Sequence, residues 1–352
     1  MTDLVPVFDG HNDVLLRLCG RRAPAGEIAF LDGTADGQLD LPRARAGGFV
    51  GGFFAIFPPS PASLDFTAFE TPDGLDVPLP EPLAIGEARV STLAMVSLML
   101  RIERESAGRV RICRDGAALR TAIADGALAV ILHVEGAEAI DPDLAMLDVL
   151  HAAGLRSLGP VWSRPNIFGH GVPFRFPSSP DTGPGLTDAG KRLVRACNRL
   201  KILVDLSHMN EKGFWDVAAL SDAPLVATHS NVHAVTPTAR NLTDRQLDAI
   251  AERRGVVGLN FATSFLRGDG RMSTATSLDW MLRHLDALLA RLGEHGVAFG
   301  SDFDGAEVPE AIGTVAGLPV LIEAMRAHGY GETLIRRIAC DNWLDVVART
   351  IG

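Results

Sequence analysis

Imidazole and carboxylate side chains recur in this sequence at one kind of place, the polar end of a short apolar run. Near the N-terminus, Asp9-Gly-His11-Asn-Asp13 follows the run Leu4 to Phe8. In extended backbone, residues two apart project to the same side, so His11 and Asp13 form a clamp for a cation. The run ALAVILHV delivers Glu135, which must face solvent or a positive charge because an unpaired buried charge is costly. KILVDLSH ends at His208, APLVATH ends at His229, and GVAFGSDFDG carries Asp302 and Asp304. One His-x-Asp, or one Glu at a strand end, says little. Ligand-type residues just past five different runs point to a metal centre. A mixed nitrogen and oxygen donor set suits Zn2+ or a similar ion better than Mg2+ or Ca2+, which prefer oxygen alone. The lysines Lys191, Lys201 and Lys212 stand away from strand ends, so Glu135 is the natural candidate to bridge two ions.

The elements that must position these groups are eight apolar runs separated by stretches with helical spacing. They lie near Leu4 to Phe8, Phe49 to Phe57, Leu128 to Val134, Leu155 to Trp162, Ile202 to Leu206, Leu225 to Thr228, Val256 to Phe261 and Val297 to Gly300. That alternation predicts a parallel (β/α)8 TIM barrel, read as one domain over residues 1–352, with an insertion after the second strand. The insertion holds the Pro-rich stretches PPSPAS and VPLPEP, then a helix from Ile85 to about Glu105. The VRI segment at Val110 is a candidate ninth strand. A second long loop, PNIFGHGVPFRFPSSPDTGPG, follows the fourth run, and Trp162, Phe168, Phe174 and Phe176 are candidate walls of a substrate pocket. Asn241-Leu-Thr-Asp opens a helix expected to stop at Gly255. His133, two residues before Glu135, is expected to pack or to support the ligands, and His151, His284, His295 and His328 are expected at the surface.

Composition narrows the alternatives. Of 352 residues, 47% are hydrophobic and the formal net charge is −10, with no Lys/Arg cluster, which argues against a nucleic-acid partner. The N-terminus lacks a basic region followed by an apolar run, and no apolar stretch is long enough to span a bilayer, so a cytoplasmic, unanchored protein is expected. Cys19, Cys113, Cys197 and Cys340 are scattered, as reduced thiols are.

The segments DGHNDVLLRL, HVEGAEAI, VDLSH, THSNVHAVTPTARNLTDRQLDAIAERRGVVGLNF and GSDFDG resemble the membrane dipeptidase (renal dipeptidase) family of zinc metallopeptidases, from residue 9 to residue 305. The resemblance implies that His11 and Asp13 hold one zinc, that His208 and His229 hold the other, and that Glu135 bridges both. It places the arginine that binds the substrate carboxylate at Arg240 and the catalytic aspartate at Asp302. A planar guanidinium matches a carboxylate with two hydrogen bonds, which suits the free C-terminus of a dipeptide. The implied reaction is attack on the amide by a hydroxide shared between the ions, with Asp302 moving the proton to the leaving amine. The family analogy also suggests a homodimer. One departure stands out: LGPVWSRPN puts Trp162 where better-known members carry a substrate-contacting histidine. Either His170 in FGHG substitutes, or substrate is recognised differently. Competing readings are an amidohydrolase acting on N-acyl amino acids or cyclic amides, and a barrel that binds ligand without catalysis.

Overall fold

The computed structural model describes residues 4–20, 25–61, 66–72 and 74–352; the first three residues of the N-terminus and the end of PPSPAS lie outside this set. Eight parallel strands form the barrel: β1 (Val7–Asn12), β2 (Phe49–Ile56), β3 (Leu128–Glu135), β4 (Leu155–Gly159), β5 (Leu203–Val204), β6 (Val226–Ala227), β7 (Val256–Asn260) and β8 (Val297–Gly300). Hydrogen-bonded neighbours run β6-β7-β8-β1-β2-β3-β4-β5. The last seam is closed by a parallel bridge between Asp205 and Val226. Seven of the strands send apolar side chains inward, among them Phe8, Phe53, Ile131, Leu203, Val226, Val256 and Ala298. These pack on Trp343, Leu344, Val346, Val347 and Ile351 of the helix Asn342–Ile351, which plugs one end of the barrel. Trp343 donates its indole N–H to the carbonyl of Phe299 at 2.8 Å and is fully buried. A Cβ on Gly10 would stand 2.2 Å from the carbonyl oxygen of Thr228 and 2.5 Å from the Trp343 ring, so no larger residue fits there.

Several expectations shift by a few residues. β1 begins later than Leu4 and runs on through His11, because Asp9 pairs with Phe299 of β8 and Asn12 with Phe54 of β2. Val110–Ile112 is a strand, paired with the start of β3 beside the eight-membered ring. The helix Ile85–Glu105 forms as expected. The helix Asp244–Glu252 starts with a capping box between Thr243 and Gln246. At its end the left-handed residue is Arg254 (φ 51°), not Gly255. Gly255 is required for another reason: a Cβ there would meet the Leu225 carbonyl at 1.8 Å.

The two long loops meet, which local patterning could not reveal. Within the insertion Glu70–Thr71 pairs with Gly74–Asp76, and Gly74–Asp76 pairs on its other edge with Arg175–Phe176 from the loop after β4, making a three-stranded antiparallel sheet.

His284 is a correction. It lies on the helix Asp279–Leu292 but is fully buried, accepting from the Val232 N–H at Nδ1 (3.1 Å) and donating from Nε2 to the Leu266 carbonyl (3.1 Å). The residues after β6 and β7 reach down onto this helix, so its inner face meets polar backbone. Burial lowers its pKa from 6.5 to about 4. The folded state therefore favours the neutral ring, and the unfolded chain binds more protons between these values. Stability is complete above about pH 6.5 and falls as pH drops towards 4, by about 3 kcal/mol from this residue. Urea unfolding at pH 7 and pH 5 should show a larger loss for the wild type than for His284→Gln; equal losses would clear His284.

Candidate metal centre

The polar residues sit at the mouth of the barrel opposite the Trp343 plug. Going up β3, the inward positions read Ala129, Ile131, His133 and Glu135, an apolar base passing to a charged rim. Glu135 ends the strand and is 4% exposed. Its Oε1 lies 3.0 Å from His208 Nε2 and 3.4 Å from His229 Nε2, and its Oε2 lies 3.7 Å from His11 Nε2. The two Nε2 atoms of His208 and His229 are 3.1 Å apart. Asp13 occupies the cap position of the helix Val14–Cys19 but makes no capping bond. Its Oδ2 turns instead to His11 Nε2 at 3.3 Å. Asp302 closes the group: ligand atoms of His11, Asp13 and Asp302 lie within 4.8 Å of one another, as do those of His11, Glu135 and His229. His208 (φ 65°) and Asp302 (φ 62°) both hold the left-handed conformation, a cost of order 1 kcal/mol each that aims them at this point.

The donors fit divalent cations. Both ring nitrogens of His11 and Oδ1 of Asp13 are buried without a hydrogen-bond partner, which is rare unless another ligand satisfies them. Thr228 donates its hydroxyl to Asp205 Oδ2 (2.6 Å) and so accepts from His229 Nδ1 (2.8 Å), which fixes the tautomer with a bare Nε2. Burial, then the positive charges of Arg240 and His11, keep His208 neutral; burial, then His11 and Arg240, do the same for His229. Burial pushes the carboxyls of Glu135 and Asp302 up, His11 opposing. Burial also works against a charged His11, but Glu135 and Asp13 outweigh it and raise its pKa to about 10. Two buried carboxylates, Asp13 and Glu135, and the partly buried Asp302 face one permanent cation, Arg240, a charge balance that added cations complete.

A cavity of about 740 Å3 opens above the cluster, lined by Asp13, Glu135, His208 and Asp302 below and by Phe57, Trp162, Phe174 and Phe265 on the sides. The Trp162 ring stands 5.9 Å from His208 and 5.4 Å from Phe174.

A sequence model of the membrane dipeptidase family, peptidase family M19, matches residues 1–351. The chain belongs to this family. It is a hydrolase of the metallo-dipeptidase kind. A metallo peptidase from Rhodobacter sphaeroides, solved with a phosphinate mimic of the dipeptide L-Ala-D-Ala, is 58% identical, with a TM-score of 0.96 over 99% of this chain and 100% of its own. The dipeptidase AC, also a metallo peptidase, is 59% identical, with a TM-score of 0.96 and the same coverage. A Klebsiella pneumoniae protein known from the pqqA 5′ region is 48% identical over 252 residues, 72% of this chain and 93% of its own.

As a membrane dipeptidase relative, the chain has no helix, among the described residues, long and apolar enough to cross a membrane. Arg240 lies beside the cluster, 3% exposed, with Nε 3.1 Å from His208 Nδ1 and bonds to Ser230 Oγ and the His229 carbonyl. His170 does not line the cavity; its carbonyl accepts from the Asn210 N–H at 3.4 Å. Of the four loop aromatics, Trp162 and Phe174 reach the cavity, Phe168 is core, and Phe176 belongs to the small antiparallel sheet. His133 packs between Phe53 and His11, bonded to Ser157 Oγ at 2.9 Å and 3.6 Å from Asp205 Oδ2. Asp205 carries the same signal as Glu135, a carboxylate ending an apolar run. Nothing in sequence singles out Ser163, 2.9 Å from His208 Nδ1, or Asn260, which donates to Asp302 Oδ2 at 2.9 Å.

Proposed function

We propose that this protein hydrolyses the amide bond of dipeptides, including those with a D-residue at the C-terminal position, at a two-zinc centre. His11 and Asp13 would hold one ion, His208 and His229 the other, and Glu135 both. The observation that carries this reading is the convergence of five donors, two nitrogens of His11 unpartnered among them, beneath a cavity with room for a dipeptide. The Rhodobacter relative solved with a mimic of L-Ala-D-Ala supports the D-residue. When bound, a zinc pair supplies an acidified water near neutral pH and polarises the scissile carbonyl.

The protein's own groups do the rest. Asn260 holds one oxygen of Asp302, leaving the other to take a proton and return it to the leaving amine. Arg240 reads the substrate carboxylate. A cation on His208 Nε2 requires the ring proton on Nδ1, where Ser163 Oγ can accept it. The Arg240 Nε–H that now points at Nδ1 then needs another acceptor, and a carboxylate is the best available. Trp162 walls the substrate side chain. His170 is left out of this reading because it is not among the residues that line the cavity. Four free cysteines, three of them buried, support work in the reducing cytoplasm.

The test is elemental analysis of protein purified without chelator, with assays on L,L and L,D dipeptides and on N-acyl amino acids. About two zinc ions per chain and chelator-sensitive dipeptide cleavage are expected. Metal with cleavage of N-acyl amino acids alone would replace the dipeptidase reading, and protein without metal would end it.

A further inference from the structure

Arg164 has no part in the chemistry above, yet it is completely buried a few ångströms behind the substrate cavity. Its Nε donates to Glu138 Oε1 at 3.0 Å, and its NH2 group lies 2.9 Å from the same oxygen. Its NH1 group donates to Ser60 Oγ and its NH2 group to the Pro58 carbonyl, both at 2.9 Å. The guanidinium carbon stands 5.6 Å from the Phe57 ring centre and 5.4 Å from that of Trp162. Those two rings are 4.9 Å apart and both line the cavity.

One cation therefore staples three loops. Phe57, Pro58 and Ser60 follow β2, Glu138 follows Glu135 at the end of β3, and Trp162 precedes Arg164 after β4. Glu138 is packed as tightly as its partner: a Cβ on Gly136 (φ 85°) would lie 2.4 Å from its Oε2. A buried ion pair is a poor source of stability compared with an apolar pair, so its value lies in what it orients. A guanidinium over an aromatic face fixes the ring's place, since the attraction falls away as the ring turns.

We propose that Arg164, anchored by Glu138, is a positioning residue that sets the Phe57–Trp162 wall and thereby the range of substrate side chains the site accepts. This rests on the dipeptidase reading. Without the fork, both rings relax and the wall loses its shape, while His11 on β1 and His229 just past β6 are held by residues outside that wall.

The experiment compares wild type, Arg164→Lys and the double variant Glu138→Gln/Arg164→Met, which leaves no unpaired buried charge if either single change fails to fold. Each is assayed on alanyl dipeptides carrying a small or a large aromatic partner, with bound metal measured on the same samples. We expect the ratio of kcat/KM between the bulky and the small substrate to change about tenfold, chiefly through KM, at wild-type metal content. An unchanged ratio, or an equal loss on both substrates with loss of metal, would overturn the proposal. A wild type that cleaves no dipeptide would remove the parent reading instead, and is told apart by its own inactivity.

Discussion

Replacing Glu135 by glutamine should cost more activity than any other single change, about a thousandfold or more in kcat/KM, with metal content falling well below the wild-type level. Oε1 and Oε2 face different histidines, so one side chain serves both halves of the cluster. The amide keeps the volume but gives up the negative charge and turns one acceptor into a donor aimed at bare ring nitrogens. Removing a carboxylate from a site this buried also leaves fewer negative charges to balance the metal proposed there. Elemental analysis and steady-state assay check it together. A variant with full metal and near-normal turnover would mean that Glu135 bridges nothing.

Asp302→Asn should be the second most severe change, of a different kind. Turnover is expected to fall about 10^2- to 10^4-fold, the usual worth of a positioned proton carrier, while metal content stays close to that of the wild type. The residue owes its position to backbone more than to ligation. Its N–H donates to the His11 carbonyl at 3.0 Å, and its own carbonyl accepts from Gly305 and Ala306. Asparagine tolerates the left-handed conformation as aspartate does, so the loop should hold. KM and kcat measured apart give the readout: loss confined to KM would make Asp302 a binding group, and lost metal would make it a ligand.

The residues that converge at the barrel mouth could be picked out in the sequence as candidate ligands because each ends an apolar run, and a parallel barrel gathers such ends on one face. His208 and His229 lie 21 residues apart and His11 nearly two hundred further back, yet strand order alone brings them together. What could not be read depends on contacts between loops, where no periodicity operates. The pairing of Leu75 with Phe176 joins two insertions about a hundred residues apart. Glu138 and Arg164 both stand inside segments whose motifs were noticed for other residues. His284 failed for the opposite reason: helical spacing located it well, but which face of that helix is covered depends on residues 232–236 and 266. His170 was placed by motif alone, and a loop residue's direction is set by the loop's own packing, here against Asn210.

The bond between β1 and β8 has a consequence for how the protein comes into being. Ser301 donates its N–H and hydroxyl to Asp9, both at 2.7 Å, across 292 residues of chain. At a translation rate of about 5–20 residues per second, His11 leaves the ribosome many seconds before the strand that must lie beside it. Throughout that interval the earlier histidines and carboxylates are donors without a centre. Ions met by the nascent chain would find only part of the donor set, which is complete only once the last strand has joined the first.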